Sequence, residues 1–246
     1  METFKNKIAL VTGGSRGIGA AIVKRLAQQG ATVIFTYVNG KEQAQKLEND
    51  LTEKGLKAQA LKADNSVSGE LANVIDSIIS QYGNFDILVN SAGIYIGKPF
   101  EEHTLEDYQK TFDINVRAVV EACIAAANKM NPSGRIITIG SCMADKVSFA
   151  QGTLYSMSKS ALIGLTKGLA RDLGPKKITV NLIQPGPINT DMNPQDSPSA
   201  DFQRSLMAIP EFGKPEHIAG MVAYLANPET GYTTGGIFNI DGGTTS

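Results

Sequence analysis

Tyr155 and Lys159, four positions apart, carry the chemistry of an acid–base pair. They open a segment with helical periodicity, where residues i and i+4 share one face. An ammonium group beside a phenol favours the phenolate and lowers the tyrosine pKa from about 10, which suits proton transfer near neutral pH. A second Tyr-x-x-x-Lys, Tyr37 to Lys41, leaves a strand through the turn Asn39-Gly40 and lacks this geometry. The spacing at Tyr155 therefore predicts a proton donor, rather than a packing tyrosine beside a solvated lysine.

A glycine-rich turn near the N-terminus has the composition of a phosphate-binding loop. The apolar run Ile8–Val11 ends in Thr12-Gly-Gly-Ser-Arg-Gly-Ile-Gly19, and a helical pattern starts at once. Glycine lets the backbone approach a pyrophosphate, and a helix N-terminus offers free N–H groups and partial positive charge. The spacing is Gly-x-x-x-Gly-x-Gly rather than the commoner Gly-x-Gly-x-x-Gly. Because the motif closes the first strand and opens the first helix, it predicts a dinucleotide site rather than a turn without a ligand.

Strands and helices alternate along the whole chain, and they must position these residues. The apolar pattern predicts strands at residues 8–11, 32–36, 57–62, 85–90, 135–140, 178–183 and 237–240. Helices are expected at residues 20–27, 41–54, 71–81, 105–130, 154–173 and 216–226. This alternation predicts an α/β fold: a Rossmann-type, doubly wound, seven-stranded parallel sheet with helices on both faces. No linker divides the chain, so we expect one domain over residues 1–246, with ligands beyond the carboxyl ends of the strands.

The polar segment at residues 184–215 interrupts this rhythm. Long connections in compact α/β domains are usually lids or binding loops. We expect residues 191–212 to be its mobile part and to form an apolar wall. The wall would comprise Met192, Phe202, Leu206, Met207 and Ile209.

Composition excludes several functional classes. Lys and Arg number 23 against 24 Asp and Glu, so no global field favours nucleic acid or an anionic membrane. Cys123 and Cys142 cannot make a disulfide framework, and with only His103 and His217 beside them no metal-ligand spacing occurs. No apolar stretch reaches the length of a membrane span. We therefore expect no metal, no nucleic acid and no membrane partner, and a cytoplasmic location.

Further motifs, read together with the first two, resemble those of the short-chain dehydrogenases/reductases along essentially the whole chain. The matching residues, in order, are Thr12, Gly13, Gly17, Gly19, Asp64, Asn90-Ser91-Ala92-Gly93, Asn115, Ser141, Tyr155, Lys159 and Pro185-Gly-Pro-Ile-Asn-Thr190. One position departs from the family pattern, since Ser91 stands where the family usually has Asn. Ser141 and Tyr155 are also 14 positions apart, about one more than in many members, so the loop between them is expected to be reshaped.

The resemblance implies roles for individual residues. Ser141 would orient a substrate carbonyl, Tyr155 would protonate it, Lys159 would tune the tyrosine, and Asn115 would support a proton relay. Asn115 in a helix interior is locally unfavourable, and its plainer reading is a buried amide in a distorted turn. The implied cofactor-binding residues are Gly13, Ser15, Arg16, Gly17, Ile18, Gly19, Tyr37, Asp64, Asn65, Asn90, Ala92, Gly93, Tyr155, Lys159, Pro185, Gly186, Ile188 and Thr190.

The end of the second predicted strand bears on cofactor choice. Enzymes that use NAD usually place Asp or Glu there for the ribose hydroxyls, whereas this chain has Tyr37. Arg16 in the glycine loop is a suitable partner for a 2′-phosphate. The sequence therefore favours NADP(H) over NAD and, with the family resemblance, a reductase that acts on a carbonyl.

The substrate is less defined by the sequence. The chain resembles the 3-oxoacyl-[acyl-carrier-protein] reductases, but the basic patch that would meet an acidic carrier is only half present, as Lys129, Lys176 and Lys177. A free ketone or aldehyde fits equally well. Three segments, Phe35-Thr-Tyr37, Gln184-Pro-Gly-Pro-Ile188 and Leu206-Met-Ala-Ile209, also resemble a subgroup of cyclic-di-GMP-binding biofilm-dispersal proteins. A nucleotide-binding regulator is therefore the alternative. In either case the family resemblance predicts a homo-oligomer, either a dimer or a tetramer. Residues 118–127 are rich in small and apolar side chains, which suits a helix packed against a partner.

Overall fold

Seven strands form one fully parallel sheet in the computed structural model, which describes residues 3–246. The strands are β1 (Ile8–Val11), β2 (Thr32–Tyr37), β3 (Ala58–Lys62), β4 (Ile87–Asn90), β5 (Arg135–Ile139), β6 (Thr179–Pro185) and β7 (Ile237–Ile240). Their order across the sheet is β3-β2-β1-β4-β5-β6-β7, and every neighbouring pair is parallel. The predicted seven-stranded parallel sheet is confirmed.

Helices cover both faces of this sheet. They are α1 (Gly17–Gln28), α2 (Lys41–Thr52), α3 (Glu70–Tyr82), α4 (Leu105–Phe112), α5 (Ala118–Lys129), α6 (Thr153–Leu173), α7 (Ala200–Ser205) and α8 (Pro215–Ala226). One apolar core lies under α1, α2 and α8, and the other lies under α3, α5 and α6. Val33 and Phe35 enter the first core and Ile34 enters the second, as the alternation of side chains along a strand requires. Both sheet faces are thus buried, and the inner strand β1 is accordingly wholly apolar.

The boundaries differ from the sequence-based expectations at two places that concern the site. The helix expected over residues 105–130 is interrupted by a π-helical turn, Asp113–Arg117. The segment at residues 184–215 begins inside β6 and contains the short helix α7. Apolar periodicity continues through the π-helical turn, so only the locally unfavourable Asn115 pointed to a distortion there. Among residues 3–246, no helix combines the length and apolarity that crossing a membrane requires.

The carboxyl ends of β1 and β4 border a crevice, because the strand order reverses between these two neighbours. The connections run outward from β1 to β2 and β3, and then β4 pairs with the other side of β1. Thr12 joins the two ends, since its Oγ1 accepts from the backbone N–H groups of Ser91 at 3.0 Å and Ala92 at 3.2 Å. Such a switch point is where parallel sheets bind ligands. The glycine loop and the Asn90–Gly93 segment therefore meet at this crevice.

We expect Thr12→Val to lower the free energy of unfolding by about 2 kcal/mol, because it leaves the N–H groups of Ser91 and Ala92 without their acceptor. Thr12→Ser keeps the accepting oxygen and should lose much less. Urea denaturation followed by circular dichroism measures both changes. Equal losses in the two variants would show that the hydroxyl does not hold the crevice together.

Candidate active site

The glycine loop packs too closely for side chains at Gly13, Gly14 and Gly19. Gly13 has φ +65°, and a Cβ there would lie 2.9 Å from Ala92 Cα; a Cβ on Gly19 would lie 2.2 Å from the Gly13 oxygen. The Gly13 N–H donates to Thr36 Oγ1 at 3.1 Å, which holds the loop against β2. Arg16, the N-terminal cap of α1, makes no side-chain hydrogen bond to the helix N–H groups. Those groups can therefore hold an anion. The other predicted loop contacts, Ser15, Gly17 and Ile18, are half-buried.

The predicted ribose and adenine contacts lie past the ends of β2 and β3. Tyr37 ends β2 and is half-buried. The Asp64 carboxylate accepts two hydrogen bonds within its own turn, and Asn65 beside it is buried. The exposed Arg16 guanidinium lies 4.0 Å from the exposed Asp191 carboxylate. An exposed pair at this distance contributes little, so Arg16 remains available to a phosphate.

The end of β4 connects the glycine loop to the acid–base residues. Asn90 is buried, and its Nδ2 donates to Thr138 Oγ1 at 3.3 Å. A Cβ on Gly93 would lie 3.3 Å from Lys159 Nζ and 3.4 Å from Asn115 Oδ1. The missing side chain of Gly93 therefore leaves room for both polar groups.

The structure brings Ser141, Tyr155 and Lys159 together where β5 ends and α6 begins. Lys159 Nζ donates to the Ile139 carbonyl at 2.9 Å and lies 5.7 Å from the centroid of the Tyr155 ring. Ser141 lies two residues after the end of β5; its Oγ accepts from the Met143 N–H at 3.2 Å and lies close enough to the Tyr155 phenol to act on its pKa. The extra residue between Ser141 and Tyr155 does not separate them, because strand and helix fix the two ends.

The expected lowering of the tyrosine pKa is wrong for this arrangement. Burial of the phenol raises the pKa of Tyr155 to about 12, although the hydrogen bond with Ser141 opposes the rise. Burial lowers the pKa of Lys159 to about 8. The ammonium donates to the Ile139 carbonyl and lies over the ring, so its charge does not offset the desolvation of the phenol. In the protein alone, therefore, Tyr155 keeps its proton at neutral pH.

Asn115 lies inside the π-helical turn Asp113–Arg117 and is completely buried. Its Oδ1 accepts from the Ile94 N–H at 2.9 Å, and its Nδ2 donates to the Ile94 carbonyl at 3.0 Å and to Ser158 Oγ at 3.0 Å. The side chain thus joins the segment after β4 to α6. The distorted turn that the sequence indicated is present, and the amide is fully paired within it.

The segment after β6 closes the crevice from the other side. β6 ends at Pro185, and the Gly186 N–H donates to the last residue of β7 at 3.0 Å. Ile188 is buried, and Thr190 lies against the glycine loop, where a Cβ on Gly17 would be 3.4 Å from Thr190 Cγ2. Thr190 therefore borders the glycine loop across the crevice.

The apolar wall expected from residues 191–212 is only partly present. Met192, Phe202 and Ile209 are exposed, at 59%, 50% and 62%. Met207 is instead buried with Ala200 and Phe212 in a small core of the segment itself, and Leu206 is half-buried. The segment holds its own shape around α7 while presenting some apolar side chains outward.

Tyr95 is a site residue that sequence reasoning missed. Its ring meets the Tyr155 ring edge-on, with centroids 5.2 Å apart, and its hydroxyl donates to the Gln151 carbonyl at 3.2 Å. Burial raises the pKa of Tyr95. Its position two residues after Gly93 was the only available signal, because no motif or periodicity singles it out. Tyr95 places a second aromatic ring directly beside the candidate proton donor.

The two cysteines have no place in this chemistry. Cys123 and Cys142 are both buried. Burial raises the pKa of Cys123 to about 12 and that of Cys142 to about 11. Both thiols therefore stay protonated and pack as small hydrophobic groups.

Comparisons with known proteins place the whole chain among related oxidoreductases. The family model described as enoyl-(acyl carrier protein) reductase matches residues 13–245. The chain is 46% identical, over 98% of each sequence, to the cyclic-di-GMP-binding biofilm dispersal mediator protein of Escherichia coli (strain K12). It matches the structure of a short-chain dehydrogenase/reductase from Serratia marcescens with a TM-score of 0.97 at 50% identity, covering 99% of this chain and 100% of that chain. A short-chain dehydrogenase from Burkholderia cenocepacia J2315 in complex with NADP matches with a TM-score of 0.97 at 47% identity, with the same coverage.

The pKa of Lys159 predicts how stability responds to pH. Between about 8 and the ordinary lysine value near 10.5, the unfolded chain keeps a proton that the folded chain has lost, so stability rises with pH there. Above pH 8, the free energy of unfolding of the wild type should rise by up to about 1.4 kcal/mol per pH unit relative to that of Lys159→Met. Urea denaturation of both proteins from about pH 7 to 9.5 measures this difference, from which the other titrating groups cancel. A difference that stays constant or falls across this range would mean that Lys159 is not a desolvated cation.

Proposed function

Because the chain belongs to the short-chain dehydrogenase/reductase family, we propose that it is an NADP(H)-dependent oxidoreductase that reduces a ketone or aldehyde carbonyl to an alcohol. The observation that carries the proposal is the cluster of Ser141, Tyr155 and Lys159 at the carboxyl end of the sheet. A phenol, a hydroxyl and a buried ammonium group in contact are the parts needed to protonate a carbonyl oxygen. The cluster adjoins the glycine loop, so a dinucleotide and a substrate would meet there.

The proton chemistry follows from the protonation states of these groups. Tyr155 holds its proton at neutral pH and is the group that donates it to the substrate oxygen. Ser141 stabilises the negative charge that develops on that oxygen by donating a hydrogen bond. Lys159, with a pKa of about 8, can give up and regain a proton near neutral pH and so return one to the tyrosine. Asn115 supports this relay by fixing the wall beside the ammonium group.

The residues around the crevice fit NADP(H). The free N–H groups of α1 and the closely packed Gly13 and Gly19 form a cradle for a pyrophosphate, and a Cβ on either glycine would collide with its surroundings. Arg16 would hold the 2′-phosphate, since Tyr37 offers no carboxylate to repel it. When bound, NADPH supplies the hydride that a carbonyl carbon accepts. The presence of NADP in the Burkholderia cenocepacia structure supports this choice over NAD.

The remaining predicted contacts would hold the other parts of the cofactor. Asp64 and Asn65 would border the adenine. The residues assigned to the nicotinamide half and its ribose are Asn90, Ala92, Gly93, Tyr155, Lys159, Pro185, Gly186, Ile188 and Thr190.

A free apolar ketone suits this site better than an acyl carrier protein. Lys129 forms an ion pair with Asp76, and Lys176 Nζ donates to the Ala127 carbonyl at 2.7 Å, so two of the three lysines expected to meet an acidic carrier already have partners. Tyr95 lies beside the proton donor. Further apolar side chains are exposed in the connections after β5 and β6, including α7; they are Val147, Phe149, Met192, Phe202 and Ile209. The proposed substrate is therefore a ketone with an aromatic or bulky apolar group.

A second copy of this chain is the proposed protein partner. The alanines of α5 are mostly buried, whereas Ile124 on its outer face is 59% exposed. An exposed apolar side chain on a helix suits packing against the same helix of another protomer, because C2 symmetry brings identical patches together. A dimer or a tetramer built on α5 is part of the proposal.

A second candidate function is regulation through a bound cyclic dinucleotide. The 46% identity to the Escherichia coli cyclic-di-GMP-binding protein, over nearly the whole chain, favours it. The complete Ser141–Tyr155–Lys159 cluster favours catalysis, since binding alone would not need a paired phenol and ammonium group. Measuring carbonyl reduction and cyclic di-GMP binding with the same purified protein distinguishes the two functions.

We expect Tyr155→Phe to lower turnover about 10²- to 10⁴-fold, because it removes the proton donor and keeps the ring. NADPH affinity should stay within a few-fold of the wild type. Absorbance of NADPH with a panel of 3-ketoesters, diketones, aldehydes and aryl ketones measures turnover, and NADPH fluorescence measures binding. Tyr224→Phe makes the same change on the exposed face of α8 and serves as the control.

Two results would contradict the proposal. Turnover of Tyr155→Phe at the wild-type rate would remove the tyrosine from the mechanism. A wild type that reduces none of the panel but binds cyclic di-GMP tightly would establish the regulatory function instead.

A further inference from the structure

Arg117 is the last residue of the π-helical turn, and its side chain forms hydrogen bonds with the turn that follows β3. Its Nη2 donates to the carbonyl of Ser66 at 2.7 Å and to that of Asn65 at 3.4 Å. Its Nε donates to Asp113 at 2.8 Å and its Nη1 to Glu121 at 2.9 Å. One guanidinium group therefore joins a segment more than fifty positions away to two carboxylates on its own helical stretch.

Glu121 binds the same turn from beside Arg117. Its Oε1 accepts from Ser68 Oγ at 2.6 Å, and its Oε2 accepts from the Gly69 N–H at 3.2 Å. Arg117 and Glu121 thus bind four positions, Asn65, Ser66, Ser68 and Gly69, the last of which is the N-terminal cap of α3. Asn65 is held directly, and Asp64 is joined to the held residue Ser66 through its carboxylate. The proposed function places both Asp64 and Asn65 at the adenine.

The charges of this cluster are permanent at neutral pH. The guanidinium of Arg117 lowers the pKa of Asp113, and the two carboxylates raise the pKa of Arg117. Burial raises the pKa of Glu121, but hydrogen bonds from Ser68, Gly69 and Arg117 outweigh it and leave that pKa below its usual value. The three side chains are only 22–29% exposed, so solvent screens them less than a free surface pair. The planar fork of arginine reaches carboxylates and carbonyls at the same time, which the point charge of a lysine cannot do.

We propose that Arg117 is a positioning residue for the adenine half of the cofactor: it sets the shape of the turn Asp64–Ser68 and does not itself touch the reacting atoms. This inference rests on the proposed function, since that turn meets a cofactor only if a dinucleotide binds. Asn115, on the same π-helical turn, serves the acid–base cluster. Two residues of one turn therefore support the two ends of the site.

The test separates the two halves of the cofactor. Binding of NADPH and of adenosine 2′,5′-bisphosphate, which contains only the adenine half, is measured by calorimetry for the wild type, Arg117→Met and Arg117→Lys. Arg25→Met, an exposed arginine in the last turn of α1, is the control. Loss of the hydrogen bonds that shape the turn should raise both dissociation constants about tenfold in Arg117→Met, and less in Arg117→Lys.

A split between KM and kcat is the second readout. In Arg117→Met, KM for NADPH should rise about tenfold, while kcat at saturating NADPH falls far less, because the acid–base residues keep their contacts. Unchanged NADPH binding in Arg117→Met overturns the inference, and so does weaker NADPH binding with unchanged binding of the bisphosphate.

The remaining outcomes are also decisive. If Arg117→Met does not fold, wild-type affinity for both ligands in Arg117→Lys overturns the inference, and a parallel loss for both supports it. If the wild type binds neither NADPH nor the bisphosphate, the proposed function is contradicted independently of any role of Arg117.

Discussion

The burial of one ammonium group constrains the whole site. Lys159 is 4% exposed, and water cannot solvate its charge there. Its hydrogen bond to the Ile139 carbonyl requires β5 to end where α6 begins, and its closeness to Gly93 requires the segment after β4 to carry no side chain at that position. Three elements of the sheet edge therefore converge on one cation. The same low-dielectric surroundings bring the lysine pKa near neutrality and keep the proton on Tyr155.

The π-helical turn adapts a regular helix to this constraint. A π-turn takes in an extra residue, which changes the direction of the side chains that follow. Asn115 points inward, where it pairs with Ile94 and Ser158 beside the lysine, and Arg117 reaches the turn after β3. The local cost of the irregular turn is offset by these buried and partly buried hydrogen bonds. The cluster of Ser141, Tyr155 and Lys159 and the turn proposed to meet the adenine are thereby connected through the five residues of the π-helical turn.

Much of this architecture was predictable, and the exceptions have physical causes. Strand–helix alternation and the glycine loop predicted the parallel sheet because both are local patterns. The pKa of Tyr155 moved opposite to the prediction, since desolvation depends on packing that no spacing encodes. The contacts of Tyr95 with Tyr155 and of Arg117 with Ser66 join residues about 50 to 60 positions apart, so no short-range pattern reveals them.

Isotope transfer tests the central claim, carbonyl reduction at this cluster, most directly. The purified protein is incubated with an aryl ketone and NADPH that carries deuterium at the transferable C4 position, and the alcohol is analysed by mass spectrometry and NMR. The account predicts one deuterium on the carbinol carbon of the product formed by the wild type. An alcohol without deuterium at that carbon, or no alcohol from any carbonyl substrate while NADPH binds, would contradict it.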